Sequence, residues 1–583
     1  MKEELRRVKI AMKNHSVDWL IVPTNDFHGS EFINEYFKTR EYLSGFTGSA
    51  GTLVVSEQGA WLWTDGRYFL QAAEQLKDSG IELMKMAMPD YPTVQEFLTE
   101  NVKEGQTIAF DGRMVNAADG MAFAKLAESK HGKVMYHVDI PGEVWIDRPE
   151  LKGKKVVNYP LSYAGTSSEK KMQQIKYVLE ENGFEYHLIP GLEENAWLFN
   201  LRGKDVECSP TFFSFSLITP TVTYLYGFKD AFEGVQIPEG VVLKDYMEVF
   251  EDVAKIPEGS KLLTPLTVCS YSLLMAVKPG VEVKNGISPA TTYKALKNSV
   301  EISSTKHAHI EDAVAMIKFL YWLDNEPKEE HTELTVSDRL EAFRAENPDF
   351  RGVSFETISG YAENGAIVHY APTEESQKQL KPEGLILIDS GGQYLNGTTD
   401  ITRTIALGPV TEKMKKCFTA VLKSHIALAT AVFETGTTGT ELDVITRKPI
   451  KDIGLDYNHG TGHGVGHYLS VHEGPNNISP RRGDYPIYPN TITTDEPGVY
   501  LEGEFGIRLE NELLCVKRGD SRFAFEPITL VPFDRRAVQA EDMTKVELEW
   551  LNSYHKRVFE TVAPRLEAAE AQWLKKMTAK IEK

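Results

Sequence analysis

LILIDSGGQYLNGTTDITRTIAL, Leu385–Leu407, is the stretch on which the fold turns. An apolar run, Leu385–Ile388, leads straight into Asp389. A Gly-Gly pair and Asn396-Gly397 follow, and Asp400 opens a second strand-like run. Apolar run, turn chemistry and apolar run read as two antiparallel strands. Such a pair brings Asp389 and Asp400 close together. Taken singly, a strand-end carboxylate is ordinarily a solvated group, so its chemistry depends on what else converges there.

A second stretch supplies candidates. NHGTGHGVGHYLSVHEGP, Asn458–Pro475, carries four of the 15 histidines, spaced 4, 4 and 5 residues apart. Glycines at 460, 462, 464 and 466 let backbone and imidazoles crowd one point. A zinc-binding H-E-x-x-H helix is excluded, because no Glu follows His459 or His463 and the glycines would break the helix. A crowded, non-helical histidine site is therefore favoured over incidental surface. Further on, GIRLENELL (Gly506–Leu514) reads as one strand. Period two puts Arg508, Glu510 and Glu512 on one face, with Ile507, Leu509 and Leu513 on the other. Glu496 precedes Pro497, which fixes extended backbone at the glutamate. Carboxylate oxygens with imidazole suit manganese, cobalt or zinc better than thiolate chemistry does. Bridging carboxylates can hold two ions ~3.5–4 Å apart, with a water activated between them.

Outward from this region, the chain changes rhythm near Ser304. Before it, two segments repeat the order helix, strand, strand pair, helix. In the first, a helix runs into a strand at Trp19–Val22, Gly51–Asp65 holds two strands, and RYFLQAAEQL has helical spacing. In the second, a helix ends at Gly183 and strands follow in EYHLI and TVTYLYG, with another ending near Thr264. Two similar α/β domains are expected over 1–155 and 156–300, then an α+β domain over 301–583 with a helical C-terminal extension from Lys545. In that domain one helical stripe carries Ala313, Met316, Ile317, Leu320 and Leu323, and a long helix is expected from Glu412 to Glu434.

Composition sets the bounds. The chain has 583 residues with a formal charge of −20, so a nucleic-acid or anionic-membrane partner is not expected. Four cysteines without a C-x-x-C pair give neither a disulfide framework nor a zinc site of that type. The N-terminal stretch has no apolar signal core, and no apolar run reaches the ~18 residues of a membrane span. A soluble, reducing compartment, most simply the cytoplasm, is the expectation. Trp61, Trp63 and Trp197 read as core aromatics, Cys417 and Cys515 as buried apolar groups, and His467 as packing or surface. Gly-Ser at 48–49 lacks a nucleophile-elbow frame, and the G-x-G run at 460–464 lacks the strand–helix context of a dinucleotide loop.

Residues 385–515 closely resemble the pita-bread metallopeptidases, which include methionine aminopeptidase, prolidase and aminopeptidase P. The shared pattern is Asp, a second Asp eleven residues on, His, then two Glu fourteen apart, matched by Asp389, Asp400, His463, Glu496 and Glu510. The blocks DSGGQYLNGTTDITRT, HGTGHGVGHYLSVHEGP and GIRLENE look like aminopeptidase P of the long, three-domain cytosolic type. So do Phe46–Gln75 and Asn195–Phe215 near the N-terminus. The resemblance implies two creatinase-like α/β domains ahead of a pita-bread catalytic domain.

The resemblance also implies roles. Asp389, Asp400 and Glu510 would hold one ion, and Asp400, His463, Glu496 and Glu510 the other, most simply Mn2+, with Co2+ or Zn2+ as alternatives. A hydroxide bridging the two ions would attack the carbonyl of the N-terminal residue ahead of a penultimate proline. Glu496 would take the water's proton, His472 would help to shuttle it, and His459 would stabilise the oxyanion. His369 would line the proline pocket, Arg508 would orient the carboxylates, and Arg67 would reach the substrate from the first domain. A homodimer is implied as well. Two alternatives remain at this point: a prolidase restricted to X-Pro dipeptides, and a non-catalytic peptide-binding pita-bread module. The extra domain and the VHEGP block weigh against the first, and the intact ligand set against the second.

Overall fold

The computed structural model describes residues 2–583, which divide into two compact units. One runs to Leu161 and resumes over Thr166–Thr291, and the other comprises Ser162–Gly165 and Thr292–Lys583.

The first unit contains two six-stranded sheets. One is built from Trp19–Pro23, Thr52–Ser56, Ala60–Thr64, Glu82–Lys85, Thr107–Ala109 and Lys133–Met135. The other is built from Tyr186–Ile189, Ser214–Ile218, Thr223–Gly227, Val241–Asp245, Lys261–Thr264 and Glu282–Asn285. Across each sheet the strands lie in the order fourth, third, second, first, fifth, sixth. The pairing sense matches too. First with second and second with third are antiparallel, and the remaining pairs are parallel. The repeated helix–strand rhythm of the sequence is therefore a repeated topology. One apolar cluster joins the halves, setting Phe27, Phe37 and Met114 beside Leu188, Phe213, Phe215 and Leu273. Trp63 and Trp197 are core residues as expected, while Trp61 is half-buried and stacks on Trp19.

The second unit opens with the helix Ser299–Asn325. Asn298 caps it by accepting from the backbone of Val300 and Glu301, and the Glu301 carboxylate accepts from the Asn298 N–H in return. The expected apolar stripe is buried throughout, each large side chain contributing about 1.5–3 kcal/mol. His309 and Asp312 are buried on the same helix. Beside it lie a three-stranded antiparallel sheet ordered Ile358–Tyr361, Leu385–Ser390, Ile401–Ala406, a six-stranded sheet, and the two-stranded ribbon Gly498–Leu501 with Phe505–Arg508.

Two expectations change. The helix from Glu412 ends at Ala429, because Val432–Glu434 leaves it to pair with Arg522–Ala524. GIRLENELL is two strands, not one. Phe505–Arg508 pairs with Gly498–Leu501, whereas Asn511–Lys517 pairs with Ile492–Asp495 in the six-stranded sheet. The chain changes sheets at Leu509-Glu510, where the Glu510 N–H donates to the Thr402 carbonyl. Alternation survives the break, so the pattern looks like one continuous strand.

Candidate metal centre

Leu385–Ser390 is buried along its whole length, and Asp389 faces Thr402 in the register of the neighbouring strand. Between these strands the chain leaves as the small hairpin Gly392–Tyr394 with Gly397–Thr398, and it returns at Asp400. The expected closeness of Asp389 and Asp400 thus arises from strand pairing across an inserted hairpin rather than from a simple turn. One oxygen each of Asp389, Asp400 and Glu510 lies within a 4.8 Å group.

The histidine stretch approaches from the other sheet. Gly462–Gly464 is a strand between Glu473–Ile478 and Ile492–Asp495. A Cβ on Gly462 would sit 1.9 Å from the Thr494 carbonyl oxygen, and one on Gly464 would sit 2.3 Å from that of Glu473. The glycines flanking His463 are what allow strands to close on it from both sides. His463 Nδ1 lies 2.9 Å from the Gly464 carbonyl, which only accepts, so that nitrogen carries the proton. Nε2 is left facing Asp400 Oδ2 at 3.4 Å and Glu496 Oε1 at 3.6 Å. Ligand atoms of His463, Glu496 and Glu510 form a second 4.8 Å group, and those of Asp400, His463 and His472 a third.

Four carboxylates converge here with little compensation. Arg508 donates to Asp389 Oδ2 through Nε at 3.0 Å and Nη2 at 2.6 Å. Asp389 Oδ1 is buried without a hydrogen-bond partner. Glu510 accepts from the Thr402 hydroxyl at 2.8 Å. Burial first, then neighbouring carboxylates, push Asp400, Glu496 and Glu510 well above the ordinary carboxylate range. Hard oxygens in excess, an orphaned buried oxygen and an imidazole nitrogen turned toward the carboxylates fit divalent cations as the missing positive charge.

The other expected residues are distributed as follows. His459 lies 4.0 Å from Glu496, with Nδ1 on the Gly460 carbonyl at 2.7 Å and Nε2 2.8 Å from the Tyr500 hydroxyl. His472 meets His463 edge-on, ring centres 4.4 Å apart. His369 is half-buried beside Val368, whose carbonyl accepts from Arg508 Nη2 at 3.3 Å. Arg67 belongs to the first unit, where Asp65 grips its guanidinium at 2.8 and 2.9 Å and Glu31 lies 3.8 Å away. His467 is buried between the Thr305 hydroxyl and the Tyr163 carbonyl, at 2.9 and 3.1 Å, so it packs and is not surface.

Sequence reasoning missed three contributors. Tyr500, four residues after Glu496, accepts from Arg508 Nη1 at 2.7 Å and bridges to His459. Glu512, whose charge raises Asp400, faces His309 Nε2 at 3.2 Å. Asp495, next to Glu496, faces His425 Nδ1 at 3.2 Å. Only Glu512 left a signal, its place in the alternation, since the other contacts join distant segments.

Comparison with known proteins follows the same outline. Residues 303–517 match the metallopeptidase family M24, and 521–581 match the C-terminal region of peptidase M24. Residues 5–140 and 147–301 each match a creatinase/prolidase N-terminal domain. Aminopeptidase P1 of Arabidopsis thaliana is 37% identical, covering 99% of both chains. A probable Xaa-Pro aminopeptidase P of Aspergillus oryzae is 38% identical over 100% of this chain and 93% of its own. Among solved structures, an X-prolyl aminopeptidase from Caenorhabditis elegans, described as a cytosolic enzyme with a di-nuclear active site, gives a TM-score of 0.93 at 29% identity over 99% of both chains. A Xaa-Pro dipeptidase from Bacillus anthracis shares the fold over 63% of this chain, with a TM-score of 0.52 at 24% identity.

Proposed function

The chain belongs to the aminopeptidase P branch of metallopeptidase family M24, and from that premise we infer that it releases an N-terminal residue from peptides with proline second. The observation that carries this reading is the convergence of Asp389, Asp400, His463, Glu496 and Glu510, in a chain aligned from end to end with aminopeptidases P. The dipeptidase reading is set aside, because the full-length relatives carry aminopeptidase names. The non-catalytic reading is set aside because the ligand set is intact.

Asp389, Asp400 and Glu510 would hold one divalent cation, and Asp400, His463, Glu496 and Glu510 the other, with Mn2+ as our choice of metal. When bound, such a pair supplies Lewis acidity and lowers the pKa of a water, so that a nucleophile exists near neutral pH. The protein's own groups do the rest. Glu496 would receive the proton of the attacking water. His472 carries that proton toward the proline nitrogen, which must be protonated as the C–N bond breaks. Arg508 holds Asp389 in position, and Tyr500 links Arg508 to His459. The Gly460 carbonyl fixes the proton on His459 Nδ1, so Nε2 accepts from Tyr500 in the neutral ring. Donation from Nε2 to an oxyanion therefore requires the imidazolium.

An imide bond to proline offers no N–H, so recognition rests on ring shape, which we assign to the neighbourhood of His369. Arg67 is our candidate for a contact from the N-terminal unit. Three domains over 1–155, 156–300 and 301–583, a homodimer and a cytoplasmic setting complete the reading. The last is supported by the cytosolic description of the Caenorhabditis elegans relative. Among the described residues no helix is long and apolar enough to cross a membrane. The test is a peptide panel on Mn2+-loaded protein, X-Pro, X-Pro-Y and X-Ala-Y, read for the released N-terminal residue. Cleavage of X-Pro-Y ahead of X-Ala-Y is expected. Cleavage of X-Pro alone would restore the dipeptidase.

A further inference from the structure

Glu333 is the first residue of the helix Glu333–Arg344 and is fully buried, yet among the described residues no cation faces its carboxylate. Its contacts all come from one segment, residues 361–378. Oε1 accepts from the Tyr361 N–H at 2.6 Å and from Asn364 Nδ2 at 3.0 Å. Oε2 accepts from the Tyr370 hydroxyl at 2.8 Å, the Lys378 N–H at 2.8 Å and Asn364 Nδ2 at 3.0 Å. The Glu333 N–H donates in turn to the Lys378 carbonyl at 3.1 Å.

Backbone N–H groups of Tyr361 and Lys378 cannot accept a proton, one group faces each oxygen, and the helix N-terminus adds favourable potential. Burial, the largest influence, raises the proton affinity of Glu333, and the hydrogen bonds offset only part of that rise. Four groups bonded to one buried carboxyl form a clasp that closes both ends of the segment.

The position of His369 within that segment gives the clasp its meaning. Val368, just before it, is tied by its carbonyl to Arg508 Nη2. Tyr370, just after it, is tied by its hydroxyl to Glu333. The residue between is held from the metal-centre side by one contact and from the helix Glu333–Arg344 by the other.

We propose that Glu333 is a positioning residue for specificity: its carboxylate clasps segment 361–378 so that His369 is fixed against the pyrrolidine ring of the substrate's second residue. The proposal rests on the assignment of the proline pocket to His369. Glu333 touches no substrate itself. Replacing it by Gln sets an amide N–H against a backbone N–H in either orientation of the side chain. Segment 361–378 then loosens while the ligand residues stay where they are.

The test compares Mn2+-loaded wild type with Glu333→Gln, Tyr370→Phe, His369→Ala and the double variant His369→Ala/Glu333→Gln. Each is measured for kcat and KM on X-Pro-Y and X-Ala-Y and for metal content. Glu333→Gln is expected to raise KM for X-Pro-Y about tenfold, to change kcat by less than about threefold, and to cut the X-Pro to X-Ala selectivity about tenfold. Metal content stays at the wild-type value. Tyr370→Phe, which removes one donor, moves selectivity the same way by about threefold and decides the matter if Glu333→Gln does not fold. The double variant is no less selective than His369→Ala alone. Unchanged selectivity in Glu333→Gln and Tyr370→Phe, with His369→Ala impaired, overturns the proposal and leaves the pocket assignment standing. Unchanged selectivity in His369→Ala overturns both. An additive loss in the double variant, or a fall in kcat alone, also overturns the proposal.

Discussion

His28 and His187 of the N-terminal unit are buried and His463 of the second unit is partly buried, and the three are spent differently. His28 puts Nδ1 on the Pro190 carbonyl at 2.8 Å and Nε2 on the Tyr246 hydroxyl at 2.6 Å. His187 repeats the arrangement with the Leu263 carbonyl at 2.9 Å and Ser288 at 2.8 Å. In both, burial lowers proton affinity and the neutral ring joins two strands or loops. His463 makes the same carbonyl contact through Nδ1, but its Nε2 faces carboxylates. The first nitrogen sets the tautomer in all three. The second separates a structural tie from a proposed ligand.

The strongest way to break this comparison is to remove each ring. His463→Ala should cost about a thousandfold in kcat/KM, some 4 kcal/mol, with loss of bound metal and a metal-free melting temperature no lower than wild type. Activity surviving with full metal content would remove His463 from the site. His28→Ala should do the reverse. A cavity and an unpaired Tyr246 hydroxyl should lower stability by about 2–4 kcal/mol, while kcat/KM per folded molecule holds. Denaturant titration beside a kinetic assay measures both. Next is Arg508→Lys, which keeps the charge but loses the two-pronged grip on Asp389, the contact to Tyr500 and the tie to Val368. About a hundredfold weaker metal binding, measured by competition with a chelator, is expected.

The smallest effect sharpens the comparison through pH. The proton affinity of His187 is pushed down to about 4, against ~6.5 in an unfolded chain. A neutral buried histidine contributes stability that is complete above the unfolded value and is lost as the pH falls toward the folded one. Between pH 7 and pH 5 this should remove about 2 kcal/mol, and His187→Gln should flatten that slope. A slope that survives the substitution would assign it to other groups.

How much of this was legible depended on distance along the chain. Asp389 and Asp400 declare themselves because apolar strand, turn chemistry and acid occupy one short stretch. His463 does so because Gly462 and Gly464 flank it and leave room for strands on both sides. The change of sheet at Leu509-Glu510 was hidden, because period two is the same whether a strand continues or hands over to another sheet. For His467 the choice between packing and surface stayed open because its partners, Thr305 and Tyr163, are remote in sequence. Glu333 left no signal, because the segment 361–378 that closes over it is remote in sequence. The shared core of the N-terminal halves was equally silent, since Phe27 and Phe213 lie far apart in sequence until the chain folds.

That shared core also sets a timetable for synthesis. Phe27, Phe37 and Met114 are made early, but Leu188 to Leu273, which pack against them, are made later. At ~5–20 residues per second the gap from Met114 to Leu273 amounts to about 10–30 s, during which these apolar side chains lack the partners that cover them. The nascent chain is most exposed to aggregation, and most dependent on chaperones, in that interval, well before any residue of the metal centre has been translated.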